Sequence, residues 1–329
     1  MSESLSFLPL PEMPLLPITS EATVRACREL PVSPETDVFV CSYPKSGTTW
    51  LQTLVCRLLA AHFGQELPDS WHLSHSAPFY EVDRYWNHPH PPHLSSTRTP
   101  ADTALRRPCD QVEYRVFNTH LRPHQLPTPA KCLYVMRSPL DVLASFYYHL
   151  ANMSQADGGY TAGPSQFIRD FLNGTILYGK WQDHMESWLS SPKVRQEEGR
   201  GSVLLLHYDE MKADLRGQAT RVARFLGVPE ENLDSVVNTA VKHCTFEAMK
   251  KEHWRYTPRS VDWKISDETG QPYQEFVRAG RLGDGESFLN THGTEEMRQR
   301  WQQDKRVARE RWIRAGVDER IVDKYLGES

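Results

Sequence analysis

The stretch DVFVCSYPKSGTTWLQTLVCRLLAAHFG, residues 37–64, decides the fold. Its first six residues, 37–42, are apolar and rich in β-forming side chains, which predicts a buried strand. Gly47 and a proline interrupt this strand. A helix is then predicted from Thr48, with apolar residues three and four positions apart, and Gly64 closes it. A buried strand that turns directly into a helix is typical of a parallel α/β sheet.

The loop between this strand and helix is predicted to bind an anion. Backbone N–H groups at a helix N-terminus point outward, and the helix dipole favours negative charge there. Gly47 allows a ligand to approach the backbone closely, and Lys45 adds a mobile cation. Thr48 and Thr49 add hydroxyl donors. The loop is not a Walker A motif, G-x-x-x-x-G-K-[ST], because Lys45 precedes its only glycine.

A second segment, residues 131–150, repeats the strand–loop–helix pattern. Residues 132–136 predict a strand. Ser138 is suited to the N-cap of the following helix, and Pro139 to its first turn. Asp141 then complements the helix dipole. A third strand is predicted at residues 202–206.

The alternation of strands and helices predicts an α/β fold with a mainly parallel central sheet flanked by helices, as in nucleotide kinases and other P-loop proteins. Residues 1–34 are predicted to form a proline-rich arm, and residues 35–329 one domain. A charged helix is expected after Thr294, with one apolar face formed by Met297, Trp301, Ala308 and Trp312. Functional sites in such sheets lie beyond the carboxyl ends of the strands.

Composition limits the partners. The 38 basic and 42 acidic residues give a net charge of −4, which disfavours nucleic acid. No run of roughly 18–20 apolar residues, as a membrane helix requires, is present. The six cysteines form no C-x-x-C pair, and the first twenty residues lack a signal peptide. Reduced, mostly buried thiols, a cytoplasmic location and a small-molecule partner are therefore expected.

Residues 43–50, YPKSGTTW, resemble the signature loop of the cytosolic sulfotransferases, Y-P-K-[ST]-G-T-T-W. Residues 119–121, Thr-His-Leu, are similar to that family's K-T-H-L-P motif, and the resemblance extends from about residue 35 to residue 285. It implies transfer of a sulfuryl group from 3′-phosphoadenosine 5′-phosphosulfate (PAPS) to a hydroxyl or amine of a small acceptor. The product would be adenosine 3′,5′-bisphosphate (PAP). No metal is required.

The resemblance also implies catalytic roles. His120 would be the general base, since a histidine near neutrality can take the acceptor's proton. Lys45 would offset charge on the departing oxygen. Ser145, with Arg137 eight residues before it, would hold the 3′-phosphate, because eight residues is a little over two helical turns.

Further residues match family positions that bind the two substrates. The donor would contact Lys45, Ser46, Gly47, Thr48, Thr49, Trp50, Arg137, Ser145, Tyr208, Thr245, Phe246, Met249, Arg278, Ala279 and Gly280. The acceptor would contact Phe79, Asn118, His120, Tyr148 and His149. Neighbouring aromatic residues, Tyr80, Tyr85, Trp86 and Tyr147, suggest a flat alcohol or phenol as acceptor.

Three positions depart from the family pattern. Asn118 and Ala279 each stand where the family has lysine, and Gly285 where it has tryptophan. The lost cations leave a non-catalytic protein that binds adenosine 3′,5′-bisphosphate as the alternative function. A triphosphate-dependent kinase is disfavoured, since neither a Walker lysine nor an acidic magnesium ligand on a strand is found.

Two other features concern a metal and a dimer. The irregular stretch 87–110 is predicted to be a mobile loop over the site. His88, His90 and His93 lie in it, but the intervening prolines do not suit metal ligands. The family's dimer motif keeps only its last residue, Glu295, so a monomer, or a dimer through another surface, is expected.

Overall fold

The computed structural model describes residues 10–86, 114–192, 194, 203–265, 276–277 and 280–327. Arg278, Ala279 and the predicted mobile loop at 87–110, with its three histidines, lie outside these residues. The strands are β1 Asp37–Cys41, β2 Arg115–Thr119, β3 Lys131–Met136 and β4 Val203–His207. Each agrees with its sequence-based boundary to within one residue where a boundary was predicted.

Helices α1 to α13 are, in order, Glu21–Glu29, Thr48–His62, Leu73–Ser76, Pro139–Asn152, Pro164–Asn173, Trp181–Leu189, Tyr208–Ala213, Leu215–Leu226, Leu233–Val241, Phe246–Lys251, Asp284–His292, Glu295–Arg314 and Glu319–Leu326. Short 3-10 helices are Asp83–Tyr85, Pro123–Gln125, Gln155–Asp157, Glu230–Asn232 and His253–Arg255. None of the helices in the described ranges is both long and apolar enough to cross a bilayer.

The strands form one parallel sheet in the order β2-β1-β3-β4. Cys41 of β1 is opposite Thr119 of β2 and Tyr134 of β3. The chain segments that follow these strands therefore leave the sheet at one edge. That edge holds the loop before α2, His120 and the start of α4, which is where a parallel sheet is expected to carry its site.

Alternate strand residues face two separate cores. On β3, Tyr134 and Met136 belong to one hydrophobic cluster, and Leu133 and Val135 belong to the other. All five residues of β1 are buried. Helices therefore cover both faces of the sheet, which confirms the predicted α/β architecture and explains why β1 is a continuous apolar run.

The two ends of the described chain pack on the first of these cores. Leu16 and Cys27 are buried in it, and the backbone N–H of Tyr178 donates to Pro14 O at 2.6 Å. At the other end, Thr294 caps α12, and the predicted apolar face of that helix is buried. Residues 10–34 are thus attached to the rest of the domain by buried side chains and by a backbone hydrogen bond.

Candidate active site

The loop between β1 and α2 has two residues in the left-handed region, Lys45 at φ 66° and Gly47 at φ 107°. A Cβ placed on Gly47 would lie 2.6 Å from Cδ2 of Tyr208, so glycine is required there for space as well as for conformation. Ser42 Oγ and Thr48 Oγ1 lie 2.6 Å apart and join the two ends of the loop. The loop is therefore held in one shape by its own side chains and by Tyr208.

His120 follows β2 and faces this loop. Its Nδ1 lies 2.8 Å from the carbonyl oxygen of Ser42. Because a carbonyl only accepts, Nδ1 carries the proton, and the lone pair of the neutral ring is on Nε2. Burial, assisted by the charge of Lys45, lowers the pKa of His120 to about 4, against the opposing effect of the Ser42 hydrogen bond. The ring is therefore neutral at physiological pH and can accept a proton.

The side chain of Lys45 extends from the loop to α4. Its Nζ is 3.3 Å from Nδ1 of His149 and 4.4 Å from the centre of the Phe276 ring. Burial, and then the charge of Lys45, hold the pKa of His149 well below its usual range. His149 is therefore neutral, and its Nδ1 can accept from the ammonium group. The arrangement keeps a cation beside the cavity without neutralising it.

Arg137 joins the loop between β1 and α2 to the segment before α11. Its guanidinium donates to the carbonyl oxygens of Lys45 at 3.2 Å and Arg281 at 3.0 Å. It also lies 4.4 Å from the centre of the Tyr208 ring. Ser145, two turns along α4, lines the same cavity. Arg137 and Ser145, which were predicted to bind the same phosphate, thus line the same cavity.

Trp50 is among the residues predicted to contact the adenosine end of the donor. Its indole N–H donates to Cys244 O at 2.7 Å, and its ring meets Tyr208 edge-on at 5.5 Å. Thr245 is the N-cap of α10, where its hydroxyl accepts from Ala248 N at 3.2 Å. Phe246 follows, 39% exposed. An exposed aromatic ring that lines the same cavity as Trp50 suits a planar ligand.

Most predicted site residues line one cavity at this edge of the sheet: Lys45, Gly47, Thr48, Thr49, Trp50, Phe79, Asn118, His120, Arg137, Ser145, His149, Tyr208, Phe246, Met249 and Gly280. Three others do not line it. Ser46 is buried in the loop, Thr245 caps α10, and Tyr148 packs 5.9 Å from Phe288 of α11.

Sequence reasoning missed the apolar wall of this cavity. Leu16, Met153, Leu177 and Tyr178 contribute to it. They come from the N-terminal arm, the end of α4 and the turn before α6, and no local motif marks any of them. Of the aromatic residues that were expected to form the wall, Tyr80 is instead fully buried, and its hydroxyl donates to Cys27 O at 2.7 Å.

Asp141 has a role that its position in the helix did not indicate. Its carboxylate accepts from the backbone N–H groups of Gly283 at 3.0 Å and Gly285 at 3.1 Å. A Cβ on Gly285 would lie 2.0 Å from the carbonyl carbon of Leu140. The glycine that stands in place of the family's tryptophan therefore lets the start of α11 contact the start of α4 directly.

The described residues contain neither a metal-binding cluster nor a disulfide. Across the described ranges, no group of three or more His, Cys, Asp or Glu side chains could hold a metal ion. Cys109 lies outside these ranges, and the other five cysteines are buried and form no disulfide with one another.

The parallel sheet, the loop at its carboxyl edge that carries Lys45, and the histidine beside that loop define an α/β protein of the P-loop type. A sulfotransferase domain model matches residues 35–308. The chain belongs to the sulfotransferase family. The predicted family is thereby confirmed.

Relatives of known sequence agree. Mouse sulfotransferase 2B1 is 32% identical over 270 residues, which is 79% of this chain and 68% of that protein. Rat sulfotransferase 1C2 is 34% identical over 258 residues, 75% of this chain and 76% of that protein. Human sulfotransferase 2B1 is 35% identical over 226 residues, and the match spans about half of its length, 52%.

Solved structures share the fold. Mouse SULT7A1 complexed with PAP has a TM-score of 0.60 at 21% identity, covering 93% of this chain and 94% of that one. Retinol dehydratase in complex with retinol and PAP has a TM-score of 0.56 at 21% identity, covering 89% and 84%.

Proposed function

We propose that this protein transfers the sulfuryl group of PAPS to a hydroxyl or amine of a small acceptor, with His120 as general base. One observation carries the proposal: a neutral His120 and the Lys45 side chain line the same cavity. The Nδ1 of His120 is held by the carbonyl oxygen of Ser42. A base and a cation that line one cavity suit an in-line displacement.

The displacement assigns a part to each group. The acceptor oxygen or nitrogen forms a bond to sulfur while its proton moves to Nε2 of His120. The bond from sulfur to the bridging phosphate oxygen breaks, and Lys45 offsets the charge that this oxygen gains. No metal enters the step. The acceleration comes mainly from position and from preorganised charge.

The donor's 3′-phosphate is assigned to Arg137 and Ser145, together with Arg278 and Gly280. Arg137 is supported by its place at the cavity, where it contacts the loop at Lys45 O. Arg278, like Ala279, lies outside the described residues, so its part rests on the sequence motif alone. The PAP complexes of mouse SULT7A1 and of retinol dehydratase agree with this ligand class.

The acceptor is proposed to be a flat, mainly apolar alcohol, phenol or amine. The wall that includes Leu16, Met153 and Leu177 favours an apolar body, and Phe79 lies against the His120 ring at 5.4 Å. One relative from the guinea pig is named a 3-beta-hydroxysteroid sulfotransferase, which agrees with this class. The protein is proposed to act in the cytoplasm.

Transfer of a radiolabelled sulfuryl group to a panel of steroids, phenols and amines tests the proposal. His120→Ala should lower turnover by about a hundredfold or more, because a positioned base contributes that much. His124→Ala is the matched control: His124 lies in the 3-10 helix Pro123–Gln125, does not line the cavity, and should keep full turnover. Equal turnover of the two variants would exclude His120 as the base.

Calorimetry separates this function from its alternatives. Adenosine 3′,5′-bisphosphate should bind far more tightly than adenosine 5′-monophosphate, without magnesium, because charge-assisted hydrogen bonds to phosphate are worth about 1.5–3 kcal/mol each. Arg137→Ala should remove most of that preference, and Arg314→Ala, on the exposed face of α12, should keep it. Selective binding without transfer to any acceptor would favour the non-catalytic member of the family. Equal affinity for the two nucleotides would refute both.

A further inference from the structure

The backbone of His120 is held by two buried side chains instead of by a neighbouring strand. Its N–H donates to Oε1 of Glu81 at 2.8 Å. Its carbonyl oxygen accepts from Nε2 of His184 at 2.9 Å. Nδ1 of His184, 3.0 Å from the Tyr134 hydroxyl, is then free to accept from it. Both polar groups of the His120 peptide are therefore satisfied by side chains that come from distant parts of the sequence.

Glu81 reaches this position through a short extension of the sheet. Asn118 N donates to Pro78 O at 3.0 Å, and Tyr80 N donates to Asn118 O at 2.8 Å. These two bonds form a parallel bridge between Phe79 and Asn118. The segment therefore runs beside the end of β2, and the residue that follows Tyr80 lies next to the residues that follow Asn118.

Glu81 is wholly inaccessible to solvent, at 0% exposure. Burial raises the pKa of its carboxyl group to about 7, against the opposing hydrogen bonds. Its second oxygen, Oε2, has no hydrogen-bond partner among the described residues. A buried carboxyl is costly to keep unless it has a task, because its charged form loses hydration. Its Oε1 is 2.8 Å from the His120 peptide nitrogen, whereas the Tyr178 hydroxyl lies 3.5 Å from the same oxygen. The side chain of Thr119 also interacts with the carboxyl group and lowers its pKa.

We propose that Glu81 is a positioning residue for the proposed sulfuryl transfer. It acts through the hydrogen bond that its carboxyl oxygen accepts from the His120 N–H, and not through its charge. An acceptor oxygen is present whether the carboxyl is ionised or protonated. Glu81 is not among the groups that shift the pKa of His120, which are Ser42, Lys45 and burial itself. Glu81 therefore affects the position of His120 and not its pKa.

The consequence for catalysis follows from geometry. His120 follows the last residue of β2, so sheet hydrogen bonds do not hold it beyond Thr119. Without the Glu81 contact, the peptide of His120 can shift, and Nε2 shifts with it. A misplacement of about 1 Å in a reacting group can lower turnover by about a hundredfold.

Two substitutions separate reach from charge. Glu81→Asp keeps the charge and shortens the side chain by one methylene, so the oxygen no longer reaches the N–H. Glu81→Gln keeps the length and an acceptor oxygen and removes the charge. We expect kcat to fall by about thirtyfold to a hundredfold in Glu81→Asp and by less than about threefold in Glu81→Gln. Glu231→Asp is the control for the loss of a methylene and should match the wild type, because Glu231 is exposed and does not line the cavity.

A spectroscopic readout keeps this test independent of the proposed function. Nuclear magnetic resonance of protein labelled with ¹⁵N-histidine reports the ring of His120, whose signals are identified by their absence from His120→Ala. Those signals should move or broaden in Glu81→Asp and stay in place in Glu81→Gln. If the wild type transfers no sulfuryl group, the proposed function fails, and the shifts of His120 still decide whether Glu81 positions it.

The proposal has three outcomes that would overturn it. Glu81→Asp could keep the wild-type kcat and the wild-type His120 signals. Glu81→Gln could lose as much kcat as Glu81→Asp, which would make the charge decisive. Both variants could lose affinity for adenosine 3′,5′-bisphosphate, which would assign Glu81 to the stability of the fold.

Discussion

Gly47→Ala tests whether Tyr208 shapes the anion-binding loop. The new Cβ would lie 2.6 Å from Cδ2 and 3.1 Å from Cε2 of the Tyr208 ring, and the backbone is at φ 107°. Placing an L-residue in this left-handed backbone conformation destabilises the fold by roughly 1–2 kcal/mol. Moving a packed ring adds about 1–3 kcal/mol. The free energy of unfolding should therefore fall by about 2–5 kcal/mol.

Gly64→Ala, at the other end of α2, is the matched control. Gly64 also has a positive φ, 62°, but a Cβ there meets no atom within 4 Å. Its loss should be limited to the backbone cost of roughly 1–2 kcal/mol. Urea unfolding measures the two losses of stability. Calorimetry measures the affinity for adenosine 3′,5′-bisphosphate, which depends on the shape of the loop.

Nucleotide affinity should distinguish the two variants further. Gly47→Ala moves Tyr208, and the guanidinium of Arg137 lies against that ring, so affinity should fall by at least about tenfold, or 1.4 kcal/mol. Gly64→Ala should leave affinity unchanged. If the two variants lose the same stability and the same affinity, Tyr208 does not shape the loop and the steric reasoning is wrong.

Three further predictions concern the chemistry and the assembly. Because the pKa of His120 is lowered to about 4, its ring stays neutral above that pH, so the acid limb of kcat/KM should lie near pH 4; a limb near 6.5 would contradict this. Asn118→Lys should raise turnover or donor affinity by adding a cation where an amide oxygen is buried without a partner among the described residues; steady-state kinetics showing that both fall would mean that Asn118 is adapted to its own acceptor. Light scattering should show a monomer, or a dimer that Glu295→Ala leaves intact; dissociation by Glu295→Ala would reveal the family's usual dimer.

The sequence predicted the parts of the fold that local chemistry determines. The run from Asp37 to Gly64 contains its own strand, loop and helix signals, and the helix bounds Thr48–His62 agree with them. The cap at Thr294 and the buried face of α12 were also local features. These elements need only the spacing of apolar residues and the conformational preferences of a few residues.

Contacts between distant segments could not be predicted in the same way. Leu16 and Leu177 line one cavity although 161 positions separate them, and neither belongs to a motif. Glu81 was next to the aromatic residues considered for the acceptor, but its hydrogen bond to His120 depends on the register between two segments. Asp141 could be assigned to its own helix dipole, but its bonds to Gly283 and Gly285 depend on how α11 docks.

The attachment of residues 10–34 links acceptor choice to the integrity of the N-terminal segment. Leu16 lies in the cavity, and Pro14 O receives the N–H of Tyr178, another wall residue. The residues proposed to bind the donor's phosphates lie instead in the loop before α2, at the start of α2, and just before and within α4, all after position 35. Proteolysis within this segment would therefore alter which acceptors fit while sparing nucleotide recognition. Divergence there offers a route by which related chains could change substrates without changing their chemistry.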